Sequence, residues 1–227
     1  MHVPDGFIDG PTSVALGVVA AGGVGVALRR AGEELDERRV PLAGLTAAFV
    51  FAVQMVNFPV ISGTSGHLLG GVLAAVLLGP WVGSLCVSVV ITVQAVLFAD
   101  GGLTALGINI VNMALVTALG GYLVFLLAKK VLPHTPGGVA LASGMAASLG
   151  VVLASLAFSL EYAIGGSGGA SATTVTASMV GVHVLIGIGE GVITGLTVSA
   201  VLASRPDLVW GARDLPAPVL EPSRTAA

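Results

Sequence analysis

The sequence has few charged residues. Asp, Glu, Lys and Arg make up 9% of the 227 residues, whereas they make up about 25% of an average soluble domain. The hydrophobic share is 55% and the mean hydropathy is +1.01. So little charge cannot cover the surface of a soluble domain of this size. The composition therefore predicts an integral membrane protein, located in the cell membrane and surrounded by lipid.

Cysteine and the common catalytic motifs are also scarce. The single cysteine, Cys86, excludes an internal disulfide and any metal cluster built from several thiolates. No GxxxxGK[ST] phosphate-binding loop is present, so the chain is not expected to use ATP itself, and there is no HExxH motif. No nucleophile–base pair stands out. We therefore expect no catalytic activity, no resident cofactor and no nucleic-acid partner.

Long apolar runs are the main feature that is present. Six of them are long enough to cross a hydrocarbon core of about 30 Å, which takes about 20 residues. A further run, 67–79, is shorter and taken alone could be re-entrant. We predict an all-α membrane domain over 1–203, with an N-terminal loop at 1–11 and a cytoplasmic tail at 204–227 that is unstructured from Pro206. The predicted helices are 12–29, 41–58, 67–79, 81–99, 104–128, 137–160 and 174–203.

The distribution of basic residues decides between six and seven crossings. With seven, all nine Lys and Arg lie on one side of the membrane, which the positive-inside rule makes cytoplasmic. The N-terminus is then outside and the C-terminus inside. The outer segments contain no base and four acids, a charge that would concentrate cations but that could also reflect topology alone. These acids are Asp5, Asp9, Asp100 and Glu161.

The first two residues, Met1 and His2, have the spacing of a metal chelate. A terminal amine and the amide nitrogen of residue 2 close a five-membered ring on an ion, and that amide with imidazole Nδ1 closes a six-membered ring. Three nitrogens in a plane leave one corner open, a geometry that suits Cu(II) or Ni(II). His67 falls on the same side of the membrane and could supply the fourth nitrogen. Alternatively, His2 is an incidental exposed residue and His67 an interfacial one.

The start of the chain supports a free amine at this position. No cleavable leader is evident, because residues 1–11 hold no Lys or Arg. Since His2 is large, we expect Met1 to be retained. Pro4 has no N–H and stiffens the chain just after the proposed chelate.

Five further polar residues could serve such a site. Polar groups inside a membrane are costly and usually have a role. These residues either hold the metal-binding segment in place, relay protons, or make ordinary hydrogen bonds between helices. Glu190 lies near the middle of the last helix, with His183 the nearest candidate partner on the same helix. The set is Asp100, Asn109, Asn112, His183 and Glu190.

Four sequence motifs together resemble the CbiM/NikM family, the substrate-capture (S) components of energy-coupling factor transporters for cobalt and nickel. The resemblance extends from residue 1 to about 203. The start MHxPDGF combined with SGHLLGG is specific for this family. The motifs are MHVPDGF at 1–7, NFP at 57–59, GTSGHLLGG at 63–71 and FADGGL at 98–103.

The resemblance implies a fold, a ligand set and partners. The fold is a seven-helix bundle with the N-terminal loop inserted from outside, and the ligands are the amine of Met1, the amide and ring nitrogens of His2, and His67. The partners are a transmembrane coupling (T) subunit, two cytoplasmic ATPases and a small auxiliary membrane protein. The GTSGHLLGG form favours nickel over cobalt as the transported ion. An ion-coupled permease that uses His183 and Glu190 as a proton relay is the alternative.

Overall fold

The computed structural model describes residues 1–37, 39–61 and 63–216, and the chain is mostly helical. These ranges contain seven helices, of which five are long and apolar enough to cross a membrane (α1 and α4–α7). The bounds are α1 Gly10–Glu34, α2 Val40–Gln54, α3 Gly71–Leu78, α4 Pro80–Leu97, α5 Leu106–Val131, α6 Pro136–Gly165 and α7 Ala172–Ser204.

Local sequence signals define where three of the helices begin. Asp9 precedes α1 and its Oδ1 accepts the N–H of Thr12 at 2.9 Å. At the start of α6, Oγ1 of Thr135 accepts the N–H of Gly138. At the start of α7, Oγ of Ser171 accepts the N–H of Thr174. Each side chain satisfies a backbone donor that has no partner within the helix.

The helix predicted over 67–79 is shorter in the structure. α3 starts only at Gly71 and spans eight residues, about 12 Å at 1.5 Å per residue, and every one of them is buried. The expected second helix, 41–58, also ends early, at Gln54. Instead, Phe58–Pro59 (β1) and Ser65–Gly66 (β2) form a short antiparallel pair, and residues 67–70 that follow have no regular secondary structure. Because the apolar runs continue across both segments, hydropathy alone does not indicate the end of α2 or the start of α3.

Close backbone contact joins α6 to α7. A Cβ added to Gly187 would lie 2.8 Å from the carbonyl oxygen of Ser148, and one on Gly144 would lie 2.8 Å from that of Gly191. Small residues at these positions let the two helix backbones approach each other. α6 extends to Gly165 and therefore contains Glu161, which we expected in an outer loop. Glu161 is buried.

Residues 206–216 fold against the helical bundle, contrary to the unstructured tail expected from Pro206. Pro206–Leu208 and Trp210–Ala212 form two short turns. Trp210 lies against Gly79, whose φ of +96° permits the turn between α3 and α4. Lys129 at the end of α5 donates to the carbonyl of Gly211 at 2.7 Å. The predicted tail over 217–227 lies outside the described residues.

Candidate metal centre

The N-terminal segment is inserted into the helical bundle. Met1, His2 and Val3 are 0%, 3% and 1% exposed, and Phe7 and Ile8 are also buried. Hydrophobic burial therefore draws the chain terminus inward and places the terminal amine inside the protein. Burial lowers the pKa of this amine well below its ordinary value, which favours the neutral form.

Polar contacts fix the position of this segment. Oδ1 of Asn109 accepts the N–H of Val3 at 2.9 Å, and Nδ2 of Asn109 donates to the carbonyl of Val3 at 3.3 Å. The N–H of Gly102 donates to that same carbonyl at 2.8 Å. Further along, Asp5 accepts the N–H of Thr104 at 2.7 Å. Residues 3–5 are thus bound to the loop before α5 and to its first turns.

The rings of His2 and His67 face each other, with centroids 4.7 Å apart and planes inclined by 33°. Nδ1 of His67 lies 2.7 Å from the carbonyl oxygen of Leu68, which requires the proton on Nδ1 and leaves the lone pair on Nε2. That Nε2 atom is buried and has no hydrogen-bond partner among the described residues. A buried acceptor without a partner, on a ring packed beside a second imidazole, is suited to a cation.

His2 has two further neighbours. Its backbone N–H donates to Oγ of Ser65 at 3.3 Å, and the N–H of Ser65 donates back to the carbonyl of His2 at 3.4 Å. Nδ1 of His2 lies 2.9 Å from Oδ1 of Asp100, within ion-pair distance. Burial lowers the pKa of His2 and so favours its neutral form. Ser65 was not among the predicted site residues, although its position in the GTSGHLLGG motif was a signal.

A surface pocket of about 260 Å³ opens at this end of the protein. Its lining includes His2, Asp5 and Asp100. Burial alone would raise the pKa of Asp100, but the neighbouring His2 lowers it below its ordinary value. The opening is therefore negatively charged, and it leads to a buried imidazole.

Glu190 contacts the segment that carries His67 rather than His183. Its carboxyl oxygens accept the N–H of Leu69 at 2.5 Å and of Gly70 at 2.9 Å. His183 instead places Nδ1 2.7 Å from the carbonyl of Met179, and its Nε2 is buried without a partner among the described residues. The pairing of Glu190 with His183 suggested by their common helix face is wrong.

Asn112, three residues after Asn109, binds a different group. Its Nδ2 donates to Oε2 of Glu161 at 2.6 Å, and no contact with the N-terminal segment is found within the described ranges. Asp100, Asn109 and Glu190 therefore contact the Met1–His2–His67 cluster or the chain that carries it. Asn112 is bound elsewhere, whereas His183 is hydrogen-bonded to its own helix but lies close enough to the terminal amine and to His67 to interact electrostatically with both.

Comparison with known proteins agrees with this architecture. A family model, CbiM, described as the cobalt uptake substrate-specific transmembrane region, matches residues 2–208. A protein of Haloquadratum walsbyi, named provisionally for metal transport, is 40% identical over 92% of this chain and 94% of its own. The cobalt transport protein CbiM of Sorangium cellulosum is 32% identical over 92% and 94%, respectively.

A nickel relative and two solved structures extend the comparison. The fused nickel transport protein NikMN of Rhodobacter capsulatus is 34% identical over 72% of this chain and 47% of its own. A crystal structure of a truncated transition metal transporter has a TM-score of 0.83 at 30% identity, covering 89% of this chain and 99% of that one. A second transition metal transporter has a TM-score of 0.82 at 30% identity.

The resemblance found in the sequence is thereby confirmed. Family, fold and helix composition all identify a protein with several membrane-spanning helices. The chain belongs to the CbiM family of cobalt uptake substrate-specific transmembrane regions and is a multi-pass membrane component of metal transport.

Proposed function

We propose that this chain is the substrate-capture component of an ATP-driven importer of a divalent transition metal, with nickel favoured over cobalt. One observation carries the proposal: the buried terminus of Met1 and His2 meets His67, whose ring lies 4.7 Å from that of His2 and whose Nε2 has no partner among the described residues. Neutral nitrogen donors at the end of a charged opening are suited to capturing a borderline cation from outside.

The ligands would be four nitrogens: the amine of Met1, the amide and Nδ1 of His2, and Nε2 of His67. Chelate rings formed by the first three place them in one plane, and His67 completes it. Two existing contacts must open for this. The amide proton of His2 now faces Ser65, and Nδ1 lies beside Asp100. An entering cation displaces the amide proton and replaces the attraction to Asp100 with a bond to Nδ1.

Nickel is favoured because a planar set of four nitrogens suits a d⁸ ion better than Co(II). Cu(II) binds such donors at least as tightly by the general order of affinities, so the metal taken up in the cell also depends on availability. Relatives named for nickel and for cobalt transport both align with this chain.

The proposed topology has seven crossings, with the N-terminus outside and the C-terminus in the cytoplasm. α3 and the irregular segment before it, residues 67–70, together serve as the third crossing. At one end of this segment His67 contacts His2, and at the other Gly79 contacts Trp210. The segment thus connects the N-terminal site with the basic, C-terminal side of the molecule.

Energy for transport would come from other subunits. The proposed partners are a T subunit, two cytoplasmic ATPases and a small auxiliary membrane protein, because the sequence contains no phosphate-binding loop of the P-loop type. The alternative, a proton-coupled permease, needs communication between His183 and Glu190. Their side chains are hydrogen-bonded to different backbone groups, which weighs against that relay.

Two measurements test the proposal. The full chain, purified in detergent, should bind Ni(II) or Co(II) at one site, and X-ray absorption should show nitrogen ligands in a planar arrangement. In proteoliposomes, radioactive nickel should accumulate only when the T and ATPase subunits and ATP are present. Uptake by this chain alone, driven by a proton gradient, would establish the permease instead.

A further inference from the structure

The carboxyl group of Glu190 lies in the middle of α7 and binds the chain just after His67. It is 3% exposed, and both oxygens accept backbone N–H groups, from Leu69 at 2.5 Å and from Gly70 at 2.9 Å. An ionisable group so deep in a membrane protein is costly unless it has such partners. Both partners here belong to the segment that leads into α3.

The same segment is held from the opposite side by α2. Nε2 of Gln54 donates to the carbonyl of Leu69 at 2.7 Å. Gly70 has a φ of +75°, and a Cβ there would lie 2.8 Å from a methyl group of Val50. The backbone at 69–70 is therefore fixed by two helices and by a conformation that favours glycine.

A single peptide unit connects Glu190 to His67. The N–H of Leu69 and the carbonyl of Leu68 belong to one planar peptide. Its N–H donates to Glu190, and its carbonyl lies 2.7 Å from Nδ1 of His67. Hydrogen bonds in such a chain polarise one another, so a carboxylate at one end strengthens the acceptor at the other.

We propose that Glu190 is a positioning residue that acts on His67 through the Leu68–Leu69 peptide. It fixes the ring so that Nε2 faces the N-terminal chelate, and it keeps the proton on Nδ1. Metal-bound histidines commonly donate their second ring N–H to a carboxylate or a carbonyl, with a similar effect on orientation and basicity. Here one peptide unit is inserted between the carboxylate and the imidazole. The inference rests on the proposed function, since it needs His67 as a ligand.

The test is a double-mutant cycle on the full chain in detergent, titrated with Ni(II) alone. Glu190→Gln replaces one acceptor oxygen with an amide group that cannot accept, and should raise the Kd by about 10- to 100-fold. In a His67→Ala background the same substitution should leave the Kd unchanged, because the ring that it positions is gone. X-ray absorption of Glu190→Gln should show a weakened imidazole contribution.

Glu161→Gln is the matched control, since Glu161 is a buried carboxyl that binds Asn112, away from the site. It should leave the Kd unchanged. A normal Kd for Glu190→Gln, or an equal loss with and without His67, would overturn the inference. If Glu190→Gln does not fold, Glu190→Asp and Gln54→Leu enter the same cycle and are judged by the same outcomes. A wild-type chain that binds neither Ni(II) nor Co(II) would overturn the proposed function itself.

Discussion

Asn109 binds the backbone of Val3 in both directions, accepting its N–H and donating to its carbonyl. This amide–backbone pair joins residues 106 positions apart and lies directly after the proposed chelate at Met1 and His2. Because Val3 is buried, neither of its polar groups can turn to water as a substitute. One side chain of α5 thus satisfies both polar groups of Val3 and contributes to the position of the terminus.

Replacing Asn109 with Ala should lower both stability and metal affinity. The buried N–H of Val3 loses its partner, at a cost of about 1–3 kcal/mol in the free energy of unfolding. A loosened terminus should also bind Ni(II) about 10-fold more weakly, by analogy with other groups that hold ligands in place. Chemical denaturation and Ni(II) titration measure the two effects.

Asn112→Ala is the control for that experiment. It leaves Glu161 without its partner and should also destabilise the protein, yet metal affinity should be retained. Equal losses of affinity in the two variants would indicate a general loss of structure rather than a specific role for Asn109.

One residue added before Met1 should abolish high-affinity Ni(II) binding. The five-membered chelate ring needs a free amine on the residue directly before His2, and a further residue would have to be accommodated at a terminus that is already buried. Isothermal titration of the extended chain measures this. The same residue added after Ala227 serves as the control and should leave the Kd for Ni(II) unchanged. Tight binding by the N-terminally extended form would show that the amine is not a ligand.

Proton release on binding should distinguish the folded chain from the peptide Met-His-Val-Pro. In the peptide, the amine has a pKa of about 8 and the imidazole of about 6.5, so at about pH 7 both partly retain protons that the metal must displace. In the protein, burial lowers the pKa of the amine and of His2, so both are already neutral.

The protein should therefore release about one proton per Ni(II), from the amide of His2. The peptide should release more than one, because its amine and imidazole also lose protons. Because one proton is released, the affinity of the protein should fall about tenfold for each pH unit lowered, and more steeply once the pH drops toward the lowered pKa values of the amine and His2. Titration calorimetry in buffers of different ionisation enthalpy counts the protons. Equal counts for protein and peptide would contradict the prediction.

Asp100→Asn should slow metal association. Asp100 lines the surface pocket beside His2, and a negative charge at an opening raises the local concentration of cations. Stopped-flow measurement should show a several-fold lower association rate and a weaker dependence on salt. Asp9→Asn removes the same charge away from the pocket while keeping a residue that can cap α1. It should leave the rate nearly unchanged, and a similar effect of both variants would contradict this role.

The sequence predicted which residues lie together at the N-terminal end better than it predicted the chain that supports them. Chelate geometry and charge distribution need only local spacing and composition, so Met1, His2 and His67 were accessible without a structure. The end of α2 at Gln54 and the start of α3 at Gly71 were not, because uniformly apolar segments give hydropathy no contrast. Periodicity likewise placed Glu190 and His183 on one face but could not show that Glu190 binds a segment 120 positions away.

The buried N-terminus also has a consequence for the order of folding. Residues 1–9 are synthesised before most of their partners, which lie in the loop before α5, in α5 itself and at the end of α6. Glu190, which binds the chain after His67, is synthesised later still. Residues 1–9 must therefore wait, without most of their final contacts, until nearly the whole chain is in the membrane. Ni(II) binding would then report completed assembly, since a nascent chain that stops before α7 could not form the site.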